Sequence, residues 1–145
     1  MTDFKIILAI VASLALVACG GKTSSDGAAS KGLESAEKAK NVDQAVEVYS
    51  VHLNKIADAI ESIESESDAD KAAKIIAEAT GEFEILADKF SGANKMQMAM
   101  ALAKQANEVG QPQMRIAVAV QDLASNNPEY LERIETALRE MPKMH

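Results

Sequence analysis

The side chains of this sequence that can do chemistry fall in four places. Cys19 is the single cysteine, and it stands directly behind the apolar run 6–18. Its thiolate is a nucleophile open to alkylation. With no second cysteine, it can neither close an intramolecular disulfide nor build a multi-cysteine zinc site. His52 offers an imidazole to a metal ion or a haem iron. Met96, Met98 and Met100, with Met114 and the tail Met141-Pro142-Lys143-Met144-His145, offer soft thioether sulfurs of the kind that hold copper(I). Asp58, Glu61, Glu64, Glu66, Asp68 and Asp70 crowd carboxylates into one short stretch, where a divalent cation or a basic partner would be sought.

Spacing weakens three of the four. On a helix Met96 and Met100 share a face while Met98 points the other way, so a third sulfur would have to come from elsewhere, such as Met114. Core packing by flexible methionines is the reading this favours, and no metal or other cofactor is expected. His52 precedes the seam residue Leu53 on the line of Ala45 and Ala59, which makes it a boundary histidine flanking the core. The acidic run has no Gly at the sixth position of an EF-hand loop. It reads as a solvated helix–turn, or equally as a docking face for a basic partner. Gly21-Lys22-Thr23 is not a phosphate-binding loop, because Leu16 stands where that loop needs its first Gly.

The function classes narrow further. Two histidines leave little room for a Ser/His/Asp arrangement, and neither a Gly-x-Ser-x-Gly elbow nor a His-Glu-x-x-His pair is present. The expectation is a non-enzyme without an identifiable small-molecule substrate. A formal charge of −7 argues against a nucleic-acid partner, which needs a basic face, and against electrostatic adhesion to anionic lipid.

Cys19 survives this sifting. Leu16-Val17-Ala18-Cys19-Gly20 resembles the lipobox of bacterial lipoproteins, with Leu three positions before the cysteine and small residues on both sides of it. Residues 1–5 form a polar start with Lys5 its only basic side chain. The run 6–18 is too short for a hydrocarbon core that takes about 20 residues to span, but it suits a secretory signal. The resemblance implies a diacylglyceryl group on the Cys19 sulfur, cleavage between Ala18 and Cys19 by signal peptidase II, and a lipid-anchored mature protein. It also implies the outer membrane facing the periplasm rather than the inner membrane, since Gly20 stands where Asp is the usual retention signal.

Behind the cysteine, residues 19–40 read as a lipidated N-terminus and flexible linker, rich in Gly and Ser. Residues 41–145 read as an all-α domain, a small antiparallel bundle of four to five helices. Val42, Val46, Tyr49, Leu53, Ile56, Ile60 and Ile63 alternate spacings of four and three, a seam that predicts a helix over about 42–64, capped by Asn41 with Gln44. Ala69, Ala72, Ile76, Ala79, Phe83, Leu86 and Phe90 repeat the pattern, with Ser67 and Asp70 at the start and Gly92 at the C′ position. Close approach of the two helices is expected at the alanine end, helped by Gly81.

The segment 93–109 is apolar on more than one side, which predicts the most buried helix. Gly110-Gln111-Pro112 should end it, with Pro112 in the first turn of the next helix. Within that helix, residues 116–120 alternate like a strand but sit in a helical neighbourhood. Asn127-Pro128-Glu129 then starts a last helix striped by Leu131, Ile134, Leu138 and Met141, ending at Pro142. The domain is expected to act by contact with an envelope protein. The alternative is a periplasmic copper- or haem-binding bundle using Met96, Met100 or His52.

Overall fold

The computed structural model describes residues 35–92 and 95–142. The expected signal, Cys19, the linker as far as residue 34, and the Lys143-Met144-His145 tail lie outside them. Among the described residues a 3-10 turn, Ala36–Lys38, precedes five α-helices: α1 (Val42–Glu61), α2 (Glu66–Lys89), α3 (Lys95–Lys104), α4 (Ala106–Asn126) and α5 (Pro128–Arg139). The all-α expectation is met, with no strand among these residues.

The domain begins before residue 41. Ala36 and Ala39 are fully buried, and the Ala36 N–H donates to Glu82 Oε2 at 2.5 Å. Lys89 Nζ donates to the carbonyls of Glu37 (2.7 Å) and Ala36 (3.3 Å). The incoming chain is therefore pinned along the C-terminal half of α2.

The starts of α1 and α2 follow side-chain caps. Asn41 Oδ1 accepts from the Gln44 N–H at 2.9 Å, and Gln44 Oε1 accepts in return from the Lys40 N–H at 2.8 Å, so orphan donors at the start of α1 are satisfied. The α2 cap is Ser65, not Ser67. Its Oγ accepts from the Asp68 N–H and donates to the Asp68 carboxylate at 2.7 Å. Ser65 and Ser67 both have Asp three residues on, so the sequence pattern fits either. The earlier start wins because α1 stops at Glu61, where Ser62 Oγ takes the Ala59 carbonyl and Ile63 turns inward to bury. At the far end α2 closes on Phe90, and Gly92, one residue beyond the expected C′ position, adopts the left-handed φ of +66° that glycine accepts without steric cost.

The most buried helix is α1, which corrects the expectation for the segment 93–109. Besides its seam, α1 buries Ala45, Val48, His52 and Ala59 on a second face, and it packs against α2, α3 and α4. With α2 it forms the expected antiparallel hairpin, shown by Tyr49 and His52 opposite Phe83 and by residues 59–62 opposite Ile75. Gly81 plays no part in that approach: a Cβ built there meets nothing within 4 Å. Against α4, α1 runs parallel, since Ser50 reaches Glu108 while Asp58 and Glu61 reach Arg115. That pairing departs from a purely antiparallel bundle. The last helix, α5, packs on α2 and α4, with Ile134 fully buried and Leu131, Leu138 and Met141 partly so. Pro128 takes its first position after Asn127, whose side chain makes no cap bond.

The α3–α4 region departs furthest from expectation. The break falls at Gln105, and α4 runs on through Gly110 and Pro112. A proline seven residues into a helix leaves the carbonyl four residues back without its partner, here that of Glu108. Ser50 Oγ, from α1, donates to that carbonyl at 3.0 Å. Pro112 itself is fully buried, so the tertiary contact that fills its place also repairs the ladder it breaks. Ser50→Ala is expected to lower stability by about 1 kcal/mol, measured by urea unfolding. The same substitution in a Pro112→Ala background should cost clearly less, because the Glu108 carbonyl then regains the helix. Equal costs in both backgrounds would disprove the repair. Beyond Pro112 the alternating residues are helical, with Ala119, Val120 and Leu123 buried, Ile116 partly so, and Val118 exposed.

Candidate functional site

Sequence reading singled out the acidic stretch but missed its partners. Arg115 on α4 donates from Nε and Nη2 to both Glu61 oxygens (3.0 and 2.6 Å), from Nη2 to Asp58 (2.6 Å), and from Nη1 to Asn54 Oδ1 (3.3 Å). These bonds, led by Glu61, push the guanidinium pKa further up. Arg133 on α5 binds Asp70 at 2.5 Å and Glu66 at 3.2 Å. Asp68 is taken by Ser65 and by Lys71 at 2.9 Å, and these two contacts, Ser65 first, lower its pKa.

Five of the six carboxylates, all but Glu64, are thus shared out among cations of the same chain, and the run stays largely solvated as expected. Both arginines lie about fifty-five to seventy residues away in sequence, and only the planar fork of Arg could span two carboxylates from one position. The pairs are exposed, so their worth is modest: Arg115→Ala is expected to cost about 1 kcal/mol. Arg115→Lys should recover only part of it, and the difference from wild type should shrink in molar salt. A salt-independent loss would mean that the side chain acts by packing instead.

His52 sits where the α1 seam meets α2. It is 8% exposed, edge-on to the Phe83 ring with centroids 6.1 Å apart. That is deeper than a boundary position. Beside it lies a shallow surface groove of about 340 Å³, lined by His52, Lys55, Asp58, Ala59, Ser62, Ile75 and Glu78. No methionine lines it, so the groove does not assemble the His–Met pair that a haem site would use.

Tyr49 is also buried, 4.6 Å from the Phe83 ring. Burial raises its pKa, opposed by a hydrogen bond with Gln113. A raised folded-state pKa means the folded protein holds this proton longer than the unfolded chain does. Stability is then fully present below about pH 10, the unfolded value, and falls as pH rises beyond it. Tyr49→Phe should flatten the alkaline limb of the stability–pH curve, and an unchanged limb would assign it to other groups.

The methionine cluster divides by face. Met98 is 6% exposed and belongs to the core, but Met96 is 74% and Met100 57% exposed, and Met114 is exposed on α4. Of these four, core packing accounts for Met98 alone. Among the described residues no group of three or more His, Cys, Asp or Glu side chains gathers to hold a metal ion.

The class defined by this architecture is a small all-α helical bundle with a parallel α1–α4 pair at its centre. Comparisons with protein families, with curated proteins and with solved structures find no significant match to the chain.

Proposed function

We propose that this chain is a bacterial cell-envelope lipoprotein, lipidated at Cys19, whose helical bundle acts by contact with another envelope protein rather than by catalysis. The observation that carries this reading is a lone cysteine placed directly behind Leu16-Val17-Ala18 and an apolar run sized for export, not for spanning. A thiol that would be a liability in an oxidising compartment is consumed by the lipid. Among the described residues no helix is long and apolar enough to cross a membrane. Attachment in this reading rests on the acyl chains, at about 0.8 kcal/mol per buried CH₂.

The anchor confines the bundle to a surface, most simply the periplasmic face of the outer membrane, and raises its effective concentration towards partners there. The test combines two measurements on protein extracted from native membranes. Intact mass should show a chain beginning at Cys19 and carrying acyl groups. Crosslinking before extraction should capture a defined envelope protein. A soluble, unmodified mature chain would overturn the anchor, and recovery of the monomer alone would overturn the contact role.

A further inference from the structure

The second apolar face of α3 points away from the protein. Met96, Ala99, Met100 and Ala103 are all exposed, and their spacing of three, one and three residues makes a single stripe along the helix. The opposite side, with Met98 and Ala101, is buried in the bundle. Lys95 and Lys104 are also exposed. At about 100° per residue they stand on the two flanks of the stripe, with no acidic residue between them in a chain of net charge −7. Outward apolar stripe, lysine flanks and no acid are together the composition of a helix that lies in a lipid interface, where lysines reach up to the headgroups while the stripe enters below them.

Position agrees with composition. The chain arriving from Cys19 is pinned to the C-terminal half of α2 by Glu82 and Lys89, and α3 begins a few residues beyond that end. Only fifteen residues separate Cys19 from Ser35, so a lipid on Cys19 would hold this end of the domain nearer the membrane than the far end of α2. Arg133 of α5, bound to Glu66 and Asp70, marks the other end of α2. The two ends are about 35 Å apart at 1.5 Å rise per residue.

We infer that the exposed stripe of α3 is a membrane seat: it lays the folded domain on the surface of the bilayer that holds the anchor. The inference rests on the anchor proposed above, because a stripe this short on an acidic protein binds lipid only when its local concentration is already high. It gives the domain a fixed orientation, α3 down and the Arg133 end outward, instead of a random one at the end of a tether.

The chain contains no tryptophan, so a single introduced one reports position without a chemical label. Met100→Trp, Met96→Trp and, at the far end, Glu132→Trp would each be made in the full chain, purified from membranes and reconstituted. The vesicles contain phosphatidylethanolamine and phosphatidylglycerol, with or without acyl chains brominated near the headgroup. The tryptophan placed at Met100 or Met96 should lose about half or more of its fluorescence in the brominated vesicles, as expected for a stripe about 5–10 Å into the headgroup–acyl boundary. The one at Glu132 should be unaffected. Adding Met100→Glu to the Met96→Trp chain should abolish the quenching while helix content stays unchanged.

An anchored chain with no quenching at either methionine overturns the seat and leaves the stripe open to a protein partner. Intact mass from the same preparation reads the anchor separately. A chain without lipid that still shows the quenching overturns the anchor and the dependence of the seat on it, and leaves the stripe as a seat that binds lipid unaided. One without lipid and without quenching overturns both.

Discussion

Phe83→Ala is expected to remove about 3–5 kcal/mol from the unfolding free energy, the range for truncating a buried aromatic ring. Phe83 is fully buried in the C-terminal half of α2. Its ring meets Tyr49 in a tilted pair at 4.6 Å and the edge of His52 at 6.1 Å, both on α1. Alanine loses the transfer energy of the ring, leaves a cavity between α1 and α2, and forfeits aromatic contacts worth about 0.5–1.5 kcal/mol beyond their area. A domain of this size has only about 5–15 kcal/mol to lose, so the variant should be partly unfolded at growth temperature. Phe83→Leu keeps most of the volume and should cost about 1.5 kcal/mol or less. Urea unfolding followed by circular dichroism measures both. A loss below about 1 kcal/mol for the alanine variant would mean that the α1–α2 interface collapses around the gap, and that Phe83 is not its keystone.

Cys19→Ala carries the other large effect, on location rather than on fold. Under the proposed reading the thiol is the only group that can be alkylated, and cleavage follows alkylation. The variant should therefore accumulate entirely as a precursor that still carries residues 1–18 and no lipid. One acyl chain binds a bilayer only marginally, with an association constant of about 10⁴ M⁻¹, whereas two or three hold it stably. The mature, lipid-bearing form should fall from the whole population to none. Fatty-acid labelling and the mass of the accumulated chain read the outcome directly, and normal processing of the variant would refute the lipobox. In the proposed reading Cys19 belongs to the linker ahead of the bundle, so the unfolding midpoint should not change, which separates this effect from that of Phe83→Ala.

Most of the helical architecture was legible because it is written locally. Seams at spacings of three and four put Val46, Leu53, Ile56, Ile76 and Phe83 in the core, where the structure has them. The Asn41 cap and the Pro128 start were legible for the same reason: each is a contact within one turn. The α2 start was not, because Ser65 and Ser67 satisfy the same rule, and the choice depends on where the preceding turn closes. Pro112 misled in the same way. Proline stops a helix in isolation, but here Ser50, far away in sequence, takes up the carbonyl it strands.

Polar partners were the least legible. Nothing near Asp58 or Glu61 in the sequence announces Arg115, and nothing near Asp70 announces Arg133, since each pair forms only when α4 and α5 dock. The same docking decides burial. α1 and α3 both carry apolar residues on two sides, and the sequence treats these sides alike. In the fold the second side of α1 is enclosed by neighbouring helices, while that of α3 faces outward.

By itself, then, the sequence determined the helices, the identity of most core residues, and the single thiol behind its apolar run, because periodicity, caps and motif spacing are properties of a few neighbouring residues. The tertiary structure alone decided which apolar faces are covered, which carboxylates are neutralised, and how a proline fits inside a helix. Those depend on surfaces that meet only when distant segments pack, and no local pattern encodes the partner.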